Sequence, residues 1–471
     1  MQSVKHAVHA IQHKLLALQC NLGFLNKNTP NSLSFGVFFY SLISETSLTN
    51  KHILAIMYFI MTTTFDIVYY ILLFFAIYFQ VFFLVVFFEN KKHLKESLPF
   101  KLNHYPSVTF LIPCWNESST ILSTIESVLS VDYPKSKLQI IVIDDGSTDS
   151  TWQKVQKFSK NSQVKLLKKE NGGKHTALNY ALQYVTSELV ISFDADTKIN
   201  KDSLLYAVQY FNKDKDLMAL GGAVLIENPK SIAQRAQSVE YQMFSYTKRM
   251  LGFMGGVLVV PGAFSVFRRE IFDKVGGYTK GHSLEDLELT FRIHDNGYKV
   301  DHCHTAIVTT KGPSTIRALF KQRLRWGYGF LSNVTDYKST ILNKKFGNFG
   351  FFTLPMSVFS YVMIVFVFFL SLYRLGLFVA DKIIKINLVG IHNFSFKFDS
   401  FFISTSAVNL IGLTMYMLIF TAIFMGKNIS KVERVSFRSL AAFLALYSIL
   451  APLWILRTLN NWLFKKGVAW R

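Results

Sequence analysis

Asp194 and Asp196 stand two residues apart at the end of an apolar run, in the stretch LVISFDADTKIN. Like charges at that spacing repel unless something positive sits between them. In an extended segment residues i and i+2 point the same way, so both carboxylates could meet one divalent ion while Ala195 turns aside. Oxygen ligands in small number suit Mg2+ or Mn2+, which keep positions open for substrate phosphates. An ion held there would tie down a diphosphate leaving group. The plain alternative is a turn in which both aspartates cap backbone amides. Asp144–Asp145, in VIDDGSTDST, raises the same choice, because Asp-Asp-Gly is ordinary turn chemistry.

The surrounding segments show what would position these groups. SVTFLIPCWNE reads as a strand stopped by Pro113 and followed by Asn116–Glu117. Residues 118–129 then place Ile121, Ile125, Val128 and Leu129 on one helical face, with serine and threonine available as caps. LQIIVIDDGSTDST is a β-branched run ending at Asp144–Asp145, with Gly146 to turn and a helix expected from about Ser150. KHTALNYALQYV is an amphipathic helix leading into ELVISFDAD. Short apolar runs alternating with helical segments predict an α/β domain with a mainly parallel sheet over residues 101–313. In such sheets ligands bind beyond the carboxyl ends of the strands. Those ends deliver an acidic crevice to a basic chain.

The chain has 471 residues, 50% of them hydrophobic and 15% aromatic, with 45 phenylalanines. That is too apolar for an ordinary soluble protein. Ile67–Phe88 is long enough to cross a bilayer core of about 30 Å as a helix, and Phe351–Tyr373, Phe401–Met425 and Ser439–Leu456 are further candidates, the last broken by Pro452. Four spans are therefore expected, the first in an N-terminal membrane region (51–100) and three in a C-terminal one (346–471); the short apolar stretch Ile53–Met61 extends the first span, lies at the interface or belongs to a second N-terminal span. Residues 1–50 form an extension to which the sequence assigns no role. The net charge of +21 is read as a membrane signal and not as a nucleic-acid one. Lys91, Lys92 and Lys95 follow the first span, Lys344 and Lys345 precede the second, and Lys427, Lys431, Arg434 and Arg438 separate the last two. Lysine and arginine concentrate on the cytoplasmic side of membrane helices, next to anionic headgroups. The segment between the first and second spans is thus expected in the cytoplasm, beneath the plasma membrane. Cys20, Cys114 and Cys303 make neither a disulfide framework nor a zinc site.

Taken in order, LIPCWNE, VIDDGSTDST, NGGKHTALN, FDADT, PGAFSVFRRE, LEDLELTFRI and QRLRW resemble a family 2 glycosyltransferase of the membrane-embedded, polysaccharide-synthase type. The cytosolic domain of that family has the nucleotide-sugar-binding GT-A fold. The resemblance covers about residues 105–330. It implies that Pro113 and Glu117 border the uracil and ribose, and that Asp144 and Asp145 serve the nucleotide, Asp145 contacting the uridine. Lys174 would lie near the diphosphate, against the alternative of a surface lysine after a Gly-Gly turn. Asp194 and Asp196 would hold the metal and the nucleotide-sugar. Glu285–Asp286 matches the acidic pair that supplies the base, with Asp286 the base itself; the alternative is that Glu285, Asp286 and Glu288 merely favour a helix dipole. Gln322, Arg325 and Trp326 match Q-x-x-R-W, Arg325 pairing with diphosphate oxygens and Trp326 offering a flat face to an acceptor sugar. Arg317, Lys321, Arg323 and Arg325 are also spaced as a basic helix at a membrane surface, so residues 314–345 are assigned to interfacial helices. Gly262, Ala263 and Phe264 resemble the acceptor loop. Pro261 and Lys311–Gly312 depart from the family's pattern.

The activity implied is an inverting transfer that polymerises a β-linked glycan from a UDP-sugar with Mg2+ or Mn2+ and moves it across the bilayer. The region GAFSVFRRE to EDLELTFRI is most similar to bacterial poly-N-acetylglucosamine synthases, which implies UDP-N-acetylglucosamine as donor, with chitin-like and hyaluronan-like products next. The partners implied are the growing glycan, the lipid bilayer and a small accessory membrane subunit. One sugar moved onto a lipid acceptor is the rival reading. A transporter or structural membrane protein carrying an inactive domain is a further one.

Overall fold

The computed structural model describes residues 48–95, 102, 104–389, 407–429 and 436–467. Most of the N-terminal extension and the first part of the expected span Phe401–Met425 lie outside the described residues. Two compact units divide the chain. One holds the described residues up to Leu73 and those from Phe366 to Val389, all helical. The other runs from Phe74 to Val365 and from Ser406 onward, and contains the whole sheet.

The elements run α1 (Leu48–Glu89), β1 (Val108–Cys114), α2 (Ile121–Leu129), β2 (Leu138–Asp145), α3 (Thr151–Val155), β3 (Val164–Lys169), α4 (Lys174–Leu182), β4 (Leu189–Ser192) and β5 (Thr197–Ile199). They continue as α5 (Ser203–Lys213), β6 (Leu217–Ile226), α6 (Ile232–Phe253), β7 (Ser265–Arg268), α7 (Glu270–Val275), α8 (Glu285–Asp295) and β8 (Lys299–Thr310). The last four are α9 (Ile316–Asp336), α10 (Leu354–Val389), α11 (Ala407–Ile429) and α12 (Phe437–Leu463).

The eight strands form one sheet in the order β3-β2-β1-β4-β7-β6-β8-β5. Its first four strands are parallel, β7 runs against both neighbours, and β5 runs against β8. Alternate residues of a strand face opposite sides, and both sides are filled. Phe110, Ile112, Ile140, Val142 and Ile191 pack with Ile121 and Ile125 of α2 and Leu204 and Val208 of α5. Leu111, Ile141, Ile143 and Val190 pack with Ala177 and Leu178 of α4 and Leu289 and Ile293 of α8. Burial on both faces explains why these strands read as continuous apolar runs. It also forces each strand's first polar residues to the rim.

Among the described residues three helical segments are long and apolar enough to cross a membrane: Ile67–Glu89, Phe349–Ala380 and Phe437–Leu463. The third expected span coincides with α11, whose apolar part among the fully described residues, Tyr416–Ile429, falls short of that length. The fourth is longer than expected, since α12 carries Pro452 inside it and continues to Leu463. The polar helix α6 packs against α11 and α12, and α9 packs against α12.

Candidate active site

β1 pairs in parallel with both β2 and β4, so their carboxyl ends share one rim. Asp194 and Asp196 lie beyond β4, in the turn that reverses the chain into β5. The alternation expected of an extended segment therefore does not apply to them. Asp196 is fixed by tertiary contacts instead, accepting hydrogen bonds from Thr310 Oγ1 at 3.1 Å and Thr197 Oγ1 at 3.3 Å. Burial, with Asp194 and then Glu117 nearby, pushes the Asp196 carboxyl up to about 6. The acidic corner thus includes Glu117, whose own carboxylate accepts from Thr120 Oγ1 at 2.9 Å.

The positive group beside Asp194 is Lys174, the first residue of α4. Its Nζ lies 2.6 Å from Asp194 Oδ1 and 2.8 Å from Glu285 Oε1. Burial works against its charge, but Asp194, Glu285 and Asp286 outweigh burial and hold the ammonium well above its usual range. The alternative of a surface lysine does not describe it.

Asp286 reaches the same place from the first turn of α8. Its Oδ2 accepts from the Gly262 amide at 2.9 Å and its Oδ1 from the Leu287 amide at 2.8 Å. Burial and the neighbouring Glu285 raise its pKa, against the pull of Lys174 and the two amides. Glu285, Asp286 and Glu288 do open a helix, yet they part company there. Glu288 accepts from Thr279, Arg292 and Tyr337 and ties the helix to its surroundings. A Cβ at Gly262 would lie 2.7 Å from Lys174 Nζ and 3.3 Å from Asp286 Oδ2, so a side chain there would displace the paired ammonium.

Asp145 at the end of β2 accepts from Lys169 Nζ at 2.7 Å, Gly172 N at 3.1 Å and Gly173 N at 2.8 Å. Lys169 escaped the sequence reading. The parallel register sets it opposite Asp145, and a register is not visible in a strand read alone. Asp144 is fully buried; its Oδ1 accepts from Ser147 N at 3.0 Å and its Oδ2 has no partner. Pro113, half-buried, sits opposite Ile143 one residue before the end of β1.

Two expectations need correction. Phe264 is fully buried and packs edge-on against Phe193 with ring centres 6.2 Å apart. It belongs to the core beside β7 and has no face for an acceptor, leaving Gly262 and Ala263 of that group at the rim. In α9, Arg317 and Lys321 are exposed, but Arg323 is buried and paired with Glu240, so it does not belong to a basic surface. Elsewhere in the motif, Gln322 Oε1 accepts from Gln237 Nε2 at 2.8 Å, and Arg325 and Trp326 are half-buried.

Among the described residues no group of three or more His, Cys, Asp and Glu side chains is placed to hold a metal unaided. The rim offers Asp194 and Asp196, and two carboxylates fit an ion such as Mg2+ whose remaining positions go to phosphate oxygens and water.

Residues 106–329 match the family model described as glycosyltransferase like family 2. The chain is 29% identical over 371 residues to a poly-beta-1,6-N-acetyl-D-glucosamine synthase of Staphylococcus epidermidis, covering 77% of this chain and 86% of that one. It is 31% identical over 261 residues to the enzyme of the same name from Staphylococcus aureus strain COL, covering 55% and 63%. In fold it is similar to the mannosyltransferase PcManGT from Pyrobaculum calidifontis, solved with GDP-Man and Mn2+, at a TM-score of 0.53 and 17% identity over 84% of this chain and 99% of that one. Residues 106–329 are thus a family 2 glycosyltransferase domain of GT-A-like fold, and the chain is a glycosyltransferase that uses a nucleotide-sugar donor.

Proposed function

We propose that the chain polymerises β-linked N-acetylglucosamine from UDP-N-acetylglucosamine at the cytoplasmic face of the plasma membrane and passes the product across it. The observation that carries this reading is the meeting of Asp194, Glu285 and Asp286 around the single ammonium of Lys174. The name of the Staphylococcus relatives supports the choice of sugar.

In this reading Pro113, Glu117 and Asp145 border the nucleoside, Lys169 keeping Asp145 in place. Asp144 is fully buried, so it supports this border from behind and presents no atom to the nucleoside, contrary to the expectation from sequence. Asp194 and Asp196 hold Mg2+ or Mn2+, which neutralises charge on the diphosphate when bound. Lys174 and Arg325 add fixed positive groups where charge develops on the departing UDP, the kind of preorganisation that contributes most to such transfers. Asp286 takes the proton of the acceptor hydroxyl as its oxygen bonds to the anomeric carbon. Its raised pKa makes it a stronger base than an ordinary carboxylate. Attack opposite the leaving group inverts an α-linked donor to a β-linked product. Gly262 and Ala263 border the acceptor hydroxyl, and Trp326 offers the acceptor ring a flat face.

Purified enzyme in lipid nanodiscs, given a panel of UDP-sugars with Mn2+ or Mg2+, tests this directly. UDP release specific to UDP-N-acetylglucosamine, abolished by chelation and accompanied by a ladder of β-linked oligomers, is expected. A single glycolipid product would establish transfer to lipid instead, and release from another UDP-sugar would overturn the choice of donor.

A further inference from the structure

Arg323 lies inside QRLRW but outside the Q-x-x-R-W pattern, and its surroundings are elaborate for a residue with no assigned role. Its Nη2 donates to Glu240 of α6 and, at 3.3 Å, to the Tyr447 hydroxyl of α12. Tyr447 in turn donates to the same oxygen of Glu240 at 2.7 Å. Each side of this triangle joins a different pair of helices. The guanidinium carbon stands 4.3 Å from the centre of the Trp326 ring, one turn along α9. The triangle sits in a tight packing of helices. The Gln237–Gln322 bond crosses from α6 to α9 beside it, and a Cβ at Gly327 would lie 2.8 Å from Thr458 Oγ1 of α12.

A buried ion pair is a poor way to gain stability, since desolvation offsets most of the attraction. Here the cost is larger, because Arg323 Nε is buried with no acceptor. A flat, delocalised cation stacked on an indole does provide orientation. We infer that Glu240 and Tyr447 clamp Arg323 as a positioning residue for Trp326, so that membrane helix α12 sets the ring on which the acceptor sugar rests. The inference rests on the reading of Trp326 given above, and adds a direct mechanical connection between the acceptor platform and the C-terminal membrane region. An acceptor glycan moving past α12 and the ring that holds its terminal sugar would then share one support.

The test uses the full chain in nanodiscs and compares wild type with Tyr447→Phe, Arg323→Lys and the double variant Glu240→Met with Arg323→Met. Tyr447→Phe removes one hydroxyl, and the double variant removes both charges together, so neither leaves a buried charge alone. Two rates are measured: UDP release from UDP-N-acetylglucosamine without acceptor, and transfer to N-acetylglucosamine oligomers. The expected result is donor-only release and donor KM within about two-fold of wild type, with acceptor KM raised about ten-fold and product ladders shortened. Arg323→Lys, which keeps the charge and loses the plane, should not restore acceptor KM. Wild-type acceptor KM and ladder length in the double variant would overturn the inference. So would a parallel loss of both rates with a lowered unfolding temperature, which marks a purely structural role. Wild type that fails to release UDP would instead overturn the proposed function, a result distinguishable from either.

Discussion

Lys174 Nζ lies 2.6 Å from Asp194 Oδ1, and that contact joins the loop after β4 to the start of α8, because the same ammonium also pairs with Glu285. Glycines at 172 and 173 precede the lysine and Gly262 faces it, so α4 can begin close against the acidic rim. The repulsion implied by grouped carboxylates is answered first by a residue of the chain itself. Lys174→Met removes that answer. UDP release should fall by about 100-fold or more, the scale seen when one preorganised electrostatic group is lost. Lys174→Arg should not rescue it, since a planar guanidinium does not reproduce the compact ammonium set between Asp194 and Glu285. Unfolding temperature measured in parallel separates lost chemistry from lost fold.

Asp286→Asn keeps the shape and one of the two amide contacts, to Gly262 or to Leu287, but removes the base. Transfer should fall by about 10²–10⁴-fold, with donor KM little changed. The pH profile carries a sign. A base must be ionised to work, so the wild-type rate is lost as pH falls through the Asp286 pKa, and burial beside Glu285 places that limb above the ordinary carboxylate range. The part of the acid limb due to Asp286 should vanish from the residual rate of the Asn variant, leaving that of Asp196, whose carboxyl is pushed up to about 6. An unchanged limb would assign the base elsewhere.

Lys169 acts one step away from the donor. It donates to Asp145 at 2.7 Å and to Thr176 Oγ1 at 3.1 Å, locking the carboxylate that the two glycine amides also hold. Lys169→Gln should therefore raise donor KM by about ten-fold while leaving kcat near wild type, the pattern of lost uniform binding. Initial rates over a UDP-sugar titration distinguish this from a fall in kcat.

The alternating α/β order and the polar strand ends were legible in the chain because they follow from local pattern. Ile140, Val142 and Ile143 are buried on opposite faces, and Asp144 and Asp145 come where the apolar run stops. What a side chain does after its strand ends was not legible. Asp194 and Asp196 looked like one extended pair, yet a turn separates their partners, Lys174 for one and Thr310 for the other. Motif resemblance puts Phe264 in the acceptor loop, and helical spacing puts Arg323 on a basic surface. Their burial depends on Phe193, Glu240 and Tyr447, which lie far off in the chain. Lys169 was invisible for the same reason, since only the pairing of β2 with β3 brings it to Asp145.

His294, far from the rim in contact but on the helix that carries Asp286, gives the domain an acid limit of its own. Its ring is buried, stacks on Phe349 at 4.0 Å, and bonds the Val257 carbonyl through Nε2 at 2.9 Å. Burial lowers its pKa to about 4, against that one favourable bond. Above about pH 6.5 the imidazole is neutral folded or unfolded, and it adds no pH dependence. As pH falls below that, the unfolded chain takes the proton and the folded one refuses it, so stability declines until the folded pKa is reached. A gap of about 2.5 pH units corresponds to about 3 kcal/mol. His294→Gln retains a donor for Val257 and cannot titrate. Its unfolding temperature should start below wild type at neutral pH, because the stack on Phe349 is weakened, and should fall less steeply between about pH 6.5 and about pH 4. Parallel slopes for the two proteins would show that His294 is not the group being protonated, and would shift the acid limit to the fully buried His302, whose pKa burial also depresses.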